Sequence, residues 1–191
     1  MSTYYIEITL LPDPEFSPAH LLGALVAKLH RALVQEQSSD IGVSYPQHVS
    51  QPRTRRTLGA VLRLHGTAAV LQRLMAQDWL RGMRDHVQVS ALSLVPADTQ
   101  HRVVRRRQFK TNVDRLRRRR MHRKGETAEQ AKAAIPDSVE RYPDLPFVQL
   151  RSSSTGQSFC LFVDHGPLLA HPVSGSFNTY GLADQATVPW F

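Results

Sequence analysis

Two helical patterns, each with a strand pattern before and after it, constrain the fold of the first 96 residues. Residues 3–11, TYYIEITLL, alternate apolar and polar positions with the period of two that is typical of a half-buried strand. Ser17 then stands where a helix N-cap is expected, with Pro18 in the first turn. Four leucines follow at helical spacing: Leu22, Leu25, Leu29 and Leu33. The chain is therefore predicted to begin with a strand and an amphipathic helix.

The next sixty residues extend this pattern. Residues 41–46 and 58–66 predict two strands joined by the polar loop 47–57, and Thr67 predicts the N-cap of a second amphipathic helix. Residues 86–96, HVQVSALSLVP, predict a fourth strand. The order β-α-β-β-α-β over residues 3–96 is that of the ferredoxin-like fold. This fold supports many functions, so it does not indicate what the protein does.

Beyond residue 97 the composition changes abruptly. The twenty residues 105–124, RRRQFKTNVDRLRRRRMHRK, hold eleven of the 24 Lys and Arg residues and one of the 16 acidic residues. Thr111 and Asp114 indicate the start of a helix and Gly125 its end, which predicts an arginine-rich helix at about residues 112–124. A capping box at Thr127 predicts a second short helix that ends at Pro136.

The remaining residues predict short strands at FVQLRS, SFCLFVDHG and SFNTYGL, the first two joined by a polar turn. The predicted fold class is therefore α+β. It comprises a ferredoxin-like N-terminal domain, residues 1–97, and a smaller C-terminal α/β domain, residues 98–191, that carries the arginine-rich helix.

The charge of the basic helix limits what it can bind. Ten net positive charges in one segment repel each other, so a purely solvated role is disfavoured and a polyanionic partner is favoured. Arg115, Arg119, His122 and Arg123 fall on one stripe of the helix, whereas Val113 and Leu116 lie towards another. One side can therefore dock against the protein while the other binds nucleic acid. A membrane is not predicted as a partner, because the helix has no apolar face of Trp, Phe and Leu.

Composition adds two expectations about location. No apolar run approaches the ~20 residues that span a bilayer, and the N-terminus has no signal-peptide pattern, so a soluble, unexported protein is expected. The single cysteine, Cys160, excludes an internal disulfide and a cysteine zinc site, as in a reducing cytosol.

The residues leave the chemistry open. Acidic residues are scattered singly, so no metal site and no cofactor are predicted. RNA can be cut without metal when its own 2′-hydroxyl attacks the adjacent phosphate, and histidine is the side chain best suited to that proton transfer. Composition and spacing favour none of the nine histidines, and His30, at the edge of the first helix's apolar stripe, has the position of an ordinary boundary residue.

Several segments nevertheless resemble a known family along essentially the whole chain: LPDPEFSPAHLLGALVAKLHRAL, IGVSYP, RRRQFKTNVDRLRRRRMHR, LPFVQLRSSSTGQSF, YGL and VPWF. They are similar to the CRISPR repeat-processing endoribonuclease of subtype I-F, the Csy-type enzyme. The resemblance implies a bacterial cytoplasmic enzyme whose arginine-rich helix enters the major groove of a repeat RNA hairpin. It further implies metal-independent cleavage at the 3′ base of the stem and retention on the mature crRNA, together with other protein subunits of the surveillance complex.

The resemblance also assigns roles to individual residues. His30 would be the general base or acid, Ser152 would position the attacking 2′-hydroxyl, and Tyr180 would orient the imidazole. Cleavage by this route leaves a 2′,3′-cyclic phosphate and a 5′-hydroxyl.

The RNA-binding residues implied by the family fall in two segments. Arg106 and Gln108 would read base edges low in the stem, since arginine pairs with guanine and glutamine with adenine. The groove-binding positions match Arg115, Arg118, Arg119, His122 and Arg123, where His122 replaces an arginine that the family leads one to expect.

Three further residues lie near the predicted cleavage site. Phe159 would stack on the terminal base pair, and Ser154 and Thr155 lie in the turn near the cleaved phosphate.

The alternative to an enzyme is a non-catalytic RNA-hairpin-binding subunit. The presence of His30, Ser152 and Tyr180 favours the enzyme, and no helix with half-site symmetry supports a DNA-binding regulator.

Overall fold

The structure is a computed structural model that describes residues 3–51, 54–109, 113–139, 144–152 and 155–191. The chain forms two compact units: Met1–Arg107 with Leu145–Phe191, and Gln108–Asp144. Each unit is described by itself. The predicted division after residue 97 stays a prediction.

The larger unit contains two antiparallel sheets and two helices. The first sheet comprises β1 (Tyr4–Leu10), β2 (Gly42–Ser44), β3 (Val61–Gly66), β4 (Val87–Val89) and β5 (Ser93–Leu94), and the helices are α1 (Pro18–Gln35) and α2 (Ala68–Met75). The second sheet comprises β6 (Gln100–Arg107), β7 (Phe147–Arg151), β8 (Ser158–Leu169) and β9 (Thr187–Trp190). The chain is thus of mixed helix and antiparallel-sheet architecture.

The predicted order of the first elements is found, with one change. The strands are arranged β2-β3-β1-β4, and β5 also pairs with β1. The single strand predicted over residues 86–96 is interrupted. Ile8 pairs with Val89 and Tyr5 pairs with Ser93, so three positions on β1 lie opposite four on the partner segment. The extra residue forms a bulge at Ser90, whose hydroxyl accepts from the Glu7 amide at 2.9 Å while its own amide donates to the Glu7 carbonyl at 2.9 Å.

The helix signals in this unit were correct to within a residue. The Ser17 side chain accepts from the His20 amide, and the Thr67 side chain accepts from the Val70 amide, so both predicted N-caps are present. The leucine stripe of α1 is buried: Leu22, Leu25, Leu29 and Leu33. Truncating one such leucine to alanine typically costs ~2–5 kcal/mol.

The helix α1 lies close to the second sheet. A Cβ added at Gly23 would lie 2.7 Å from the Gln149 carbonyl oxygen, so the helix backbone approaches β7 closely at this point. Residues of both sheets join one hydrophobic core, which includes Ile8 of β1 and Leu161 of β8. Because α1 is held rigidly between them, a side chain near its C-terminal end has a fixed position.

The prediction of a strand at SFNTYGL was wrong. Residues 176–182 form a turn in which the Gly181 amide donates to the Asn178 carbonyl at 2.8 Å and Gly181 has φ of +71°. Aromatic and β-branched residues, here Phe177, Thr179 and Tyr180, are typical of strands, but side-chain and glycine turn chemistry determined the backbone. Conversely, the strands β6 and β9 were not predicted. In β6 the many charged residues obscure the alternation of apolar and polar positions that is typical of a strand.

The smaller unit contains the basic helix. Its described residues form two α-helices, α3 (Val113–Lys124) and α4 (Ala128–Ala134), and a short 3-10 helix at Asp137–Val139. The predicted end at Gly125 is found, with φ of +65° and an amide that donates to the Met121 carbonyl at 2.8 Å. The capping box of Thr127 and Gln130 is also present. The predicted N-terminal signal Thr111 lies outside the described residues.

Among the helices of the described residues, none is long and apolar enough to cross a membrane.

Candidate functional site

His30 lies near the C-terminal end of α1 and contacts the turn at residues 178–182. The imidazole is stacked on the Tyr180 ring, with 4.1 Å between ring centroids and an angle of 4° between the planes. The His30 Nδ1 lies 2.9 Å from the Thr179 carbonyl oxygen. His30 is therefore in direct contact with Thr179, which lies 149 positions away in sequence, and with the neighbouring Tyr180.

The contact with Thr179 determines which His30 nitrogen carries a proton. A carbonyl oxygen can only accept a hydrogen bond, so Nδ1 donates and carries hydrogen. In the neutral imidazole the other nitrogen, Nε2, then holds a lone pair and can take up a proton. This is the protonation pattern that a general base requires.

The turn that supplies these contacts is held by Asn178. Its side-chain oxygen accepts from the Tyr180 amide at 2.8 Å and from the Leu182 amide at 3.2 Å. Sequence reasoning did not select Asn178 or Thr179. The signal that was available is an asparagine three residues before a glycine, which is typical of a turn.

Gly181 fixes the turn against the first sheet. Its carbonyl accepts from the Val43 amide at 2.8 Å, and a Cβ placed on it would lie 2.3 Å from Val43 Cγ2. Its φ of +71° is a left-handed conformation that a residue with a Cβ adopts at a cost. The glycine of the YGL segment is therefore required by both backbone conformation and space.

Arg106 adds a positive charge beside the aromatic residues. Its guanidinium carbon lies 5.7 Å from the Tyr180 ring centroid and 5.8 Å from the Phe159 ring centroid, within the range of cation–π interaction. The Arg106 Nε is buried and has no hydrogen-bond partner among the described residues. Burial raises the pKa of Tyr180, an effect that Arg106 opposes, so the phenol is neutral at physiological pH.

The predicted serine lies in the turn between β7 and β8. The Ser152 amide donates to the Gln157 carbonyl at 2.9 Å, and the Ser152 hydroxyl accepts from the Thr155 amide at 3.3 Å. Thr155 is exposed, whereas Ser154 lies outside the described residues. The turn thus orders a serine hydroxyl and several backbone amides.

The helix α3 has two faces that differ in their contacts. The face directed at α4 comprises the buried Val113 and the half-buried residues Leu116, Arg117, Arg120 and Met121. The opposite stripe is exposed and comprises Arg115, Arg118, Arg119, His122 and Arg123. These five are the residues that the resemblance assigned to the RNA groove. The structure separates an exposed face from a buried one, and contact of the exposed face with RNA stays a prediction.

Arg117 and Arg120, on the half-buried face of α3, bind groups of the smaller unit. Arg117 donates to the Ile135 carbonyl at 2.7 Å and to Asp137 at 2.7 Å, and its side chain is only 13% exposed. Arg120 forms a two-point pair with Glu126, with one contact of 3.0 Å. Glu126 has a pKa below its ordinary value because it accepts from Arg120. Sequence composition did not separate these two arginines from the others.

Gln108 is the first residue of the smaller unit and is exposed, whereas Arg106 belongs to β6 in the larger unit.

No cluster of three or more His, Cys, Asp or Glu side chains suited to a metal ion occurs in the described part of the chain.

Each of the two units has a feature that is expected of a nucleic-acid-processing enzyme. An exposed arginine face in one unit suits a polyanion, and a half-buried histidine with a fixed Nδ1–H in the other suits proton transfer. Residues 5–191 match the family described as "CRISPR-associated protein (Cas_Csy4)". This chain belongs to that family.

Two curated relatives are similar to the chain over almost its whole length. Both are named CRISPR-associated endonuclease Cas6/Csy4. The protein of Pseudomonas aeruginosa (strain UCBPP-PA14) is 49% identical over 188 residues, which are 98% of this chain and 99% of that protein. The protein of Escherichia coli (strain UTI89 / UPEC) is 46% identical with the same coverage. A solved structure described as "An RAMP protein binding different RNA substrates" aligns with 98% of this chain and 100% of that chain, with 11% sequence identity. Its TM-score of 0.35 is too low to indicate a shared fold.

Proposed function

We propose that this protein is an endoribonuclease that binds the CRISPR repeat hairpin, cuts pre-crRNA at the 3′ base of the stem and stays bound to the product. The observation that carries the proposal is the His30 imidazole, which is stacked on Tyr180, directs its Nδ1–H at the Thr179 carbonyl and has Arg106 beside the same tyrosine ring. The names of the two relatives support a nuclease role, since both are CRISPR-associated endonucleases.

The cleavage step needs no metal in this proposal. The His30 Nε2 takes up the proton of the 2′-hydroxyl, and the 2′ oxygen attacks the adjacent phosphorus. The bond from phosphorus to the 5′ oxygen breaks, that oxygen takes up a proton from water, and His30 then releases its own proton to the solvent. The products are a 2′,3′-cyclic phosphate and a 5′-hydroxyl. Positioned proton transfer of this kind contributes ~10²–10⁴-fold to a rate.

Other side chains have supporting roles. Ser152 holds the 2′-hydroxyl in line, and Tyr180 keeps the imidazole plane fixed through the stacking contact. Phe159 provides a surface for the terminal base pair, while Ser154 and Thr155 lie near the cleaved phosphate. Each is a proposal that single substitutions can test.

RNA binding is proposed for the exposed stripe of α3 together with Arg106 and Gln108. The five stripe residues contact phosphates of the hairpin's major groove, and Arg106 and Gln108 read guanine and adenine edges low in the stem. Each phosphate contact adds roughly 0.7–0.9 to the slope of log affinity against log salt concentration. In this proposal the bound product joins further protein subunits of a subtype I-F complex in the bacterial cytoplasm.

The fold fits the same proposal. The strand order β2-β3-β1-β4 with two helices supports a ferredoxin-like domain over residues 1–97, followed by a domain over residues 98–191 that includes α3.

The decisive experiment changes one atom of the substrate. A repeat hairpin with 2′-deoxyribose at the cleavage site should bind with nearly unchanged affinity and resist cleavage completely, because the phosphate and groove contacts remain while the nucleophile is missing. Excess chelator should leave cleavage of the natural hairpin unchanged. Normal cleavage of the deoxy substrate would require a metal-activated water and contradict the roles of His30 and Ser152. Inhibition of natural-hairpin cleavage by the chelator would lead to the same conclusion. Tight binding without any cleavage would instead support a non-catalytic hairpin-binding subunit.

A further inference from the structure

We propose that Asn178 is a positioning residue that fixes the neutral tautomer of His30 with hydrogen on Nδ1 and the lone pair on Nε2. The proposal rests on the proposed function for its consequence in catalysis, but the tautomer itself can be measured without any RNA. The contacts that support it form a short series from Asn178 through Thr179 and Tyr180 to the imidazole.

The first step of the series is the Asn178 side chain. Its single oxygen accepts from two backbone amides of the turn, Tyr180 at 2.8 Å and Leu182 at 3.2 Å. Two acceptor bonds to successive parts of one turn fix the direction of the peptide groups between them. The peptide group that joins Thr179 to Tyr180 is one of these, since it contributes both the bonded amide and the Thr179 carbonyl.

The second step is the contact of that peptide group with His30. The Thr179 carbonyl oxygen accepts from His30 Nδ1 at 2.9 Å, and the Tyr180 ring lies 4.1 Å from the imidazole at an angle of 4°. A rotation of this peptide group would turn the carbonyl away from Nδ1 and tilt the Tyr180 ring at the same time. The direction of one peptide therefore controls both contacts.

The third step is that the ends of the turn have separate anchors. The Phe177 amide donates to the Ser39 carbonyl at 2.9 Å, the Val43 amide donates to the Gly181 carbonyl at 2.8 Å, and the Ala183 amide donates to the Val104 carbonyl at 3.0 Å. These backbone bonds are independent of the Asn178 side chain. Removing that side chain should therefore loosen the peptide between Thr179 and Tyr180 without releasing the turn from the sheets.

The consequence for chemistry follows from the two tautomers of imidazole. With hydrogen on Nδ1, the Nε2 lone pair is available to take up the proton of a 2′-hydroxyl. With hydrogen on Nε2, the neutral ring presents a donor at that atom and cannot act as the base there. In water the two forms interconvert, so a fixed carbonyl acceptor at Nδ1 selects the productive form.

The test uses the full chain labelled with ¹⁵N-histidine. Imidazole nitrogen shifts are measured at a pH of about 9, where a histidine with an ordinary pKa near 6.5 is neutral. The His30 signals are assigned by their loss in His30→Gln. The wild-type protein should show a protonated Nδ1 and an unprotonated Nε2 at His30. In Asn178→Ala the signals should shift towards a mixture of tautomers.

A matched variant isolates the acceptor. Asn178→Asp retains a side-chain oxygen at the same position and should keep the Nδ1–H form, whereas Asn178→Ala removes it. Asn178→Ser retains a shorter acceptor and should be intermediate. It also keeps the test available if the alanine variant does not fold.

A second readout is the cleavage rate of the repeat hairpin under single-turnover conditions across a range of pH. Asn178→Ala should be ~10- to ~10²-fold slower, since small displacements of a reacting group have effects of this size. RNA affinity should stay within about twofold of the wild type, and Asn178→Asp should retain most of the rate. A general loss of structure would lower affinity as well as rate.

Three results would overturn the proposal: a pure Nδ1–H tautomer in Asn178→Ala, a wild-type rate in that variant, or equal defects in the aspartate and alanine variants. If the wild-type protein binds the hairpin but never cuts it, the proposed function fails. The tautomer measurement still decides the role of Asn178 in that case.

Discussion

Two stacked histidine sites in the larger unit provide an instructive comparison. His30 is stacked on Tyr180 at 4.1 Å, and His48 is stacked on His165 at 3.6 Å with 16° between the planes. Both His30 and His48 direct Nδ1 at a backbone carbonyl, that of Thr179 at 2.9 Å and that of Tyr45 at 3.0 Å. Stacking and a carbonyl contact alone therefore do not distinguish a candidate catalytic histidine.

The surroundings of the second site differ. His165 Nε2 is buried without a hydrogen-bond partner among the described residues, and burial lowers the pKa of His165 to about 3, with smaller contributions from His48 and Arg102. Burial also lowers the pKa of His48. Both imidazoles are therefore neutral near physiological pH, with Trp190 packed against their edges.

The difference indicates two uses of one residue type. The pair of His48 and His165 is held neutral and packed, as structural side chains are. His30 instead lies with Tyr180, whose other ring neighbour is Arg106, and near the end of a helix that is fixed between two sheets.

The substitution His30→Ala should reduce cleavage of the repeat hairpin by ~10²–10⁴-fold, because it removes the proposed proton acceptor. Hairpin affinity should be nearly unchanged. His48→Ala is the matched control from the other stacked pair and should cut at the wild-type rate once corrected for the folded fraction. Single-turnover gels and a binding titration measure both quantities. Equal loss of cleavage in the two variants would remove the distinction between the sites.

The substitution Gly181→Ala should lower the free energy of unfolding by about 2–5 kcal/mol and slow cleavage as well. It combines left-handed strain of ~1–2 kcal/mol with overpacking against Val43 of ~1–3 kcal/mol. Gly82→Ala is the matched control, since Gly82 has φ of +74° but an added Cβ would meet nothing within 4 Å. Its cost should be the strain alone, with no effect on cleavage. Urea unfolding of the two variants gives the difference, and similar costs would show that the Val43 contact is unimportant.

The same division into partnered and exposed groups applies to the arginines of α3. Arg117→Ala should destabilise the smaller unit by about 1–2 kcal/mol, because it leaves the Ile135 carbonyl and Asp137 without their donor. Arg118 is exposed, so Arg118→Ala should change stability by less than ~0.5 kcal/mol and instead reduce the salt slope of hairpin binding by roughly 0.7–0.9. Amide hydrogen exchange of α3 and binding at several salt concentrations separate the two effects. The opposite assignment would contradict the two faces of α3.

Acidification should destabilise the pair of His48 and His165. Their native pKa values are lowered, so the unfolded chain binds more protons than the native protein below pH about 6.5, and stability decreases as the pH falls. At one pH unit below that value His165 accounts for about 1 kcal/mol, because its native pKa of about 3 keeps it neutral there, and His48 contributes in the same direction. His165→Phe keeps a stacked ring without the titrating group and should flatten the pH dependence of urea unfolding. An unchanged dependence would indicate that other groups are responsible.

Features that depend on local chemistry could be predicted from the amino-acid sequence alone. Ser17, Thr67 and Thr127 marked three helix starts, because an N-cap side chain bonds to an amide three residues ahead. The leucine periodicity of α1 marked its buried face, and the density of arginine between residues 105 and 124 predicted a polyanion-binding segment. The family resemblance then selected His30, Ser152 and Tyr180, which periodicity and spacing left undistinguished.

The contacts between residues that are distant in sequence became visible only in the folded chain. Thr179 reaches His30 across 149 positions of sequence, and the bonds of Asn178 convert a segment with strand-like alternation into a turn. The partners Ile135 and Asp137 separate Arg117 from the arginines of the exposed stripe. Caps and periodicity act within a few residues, so a single segment displays them. Contacts between distant segments form only when the core brings those segments together, and no local pattern records them.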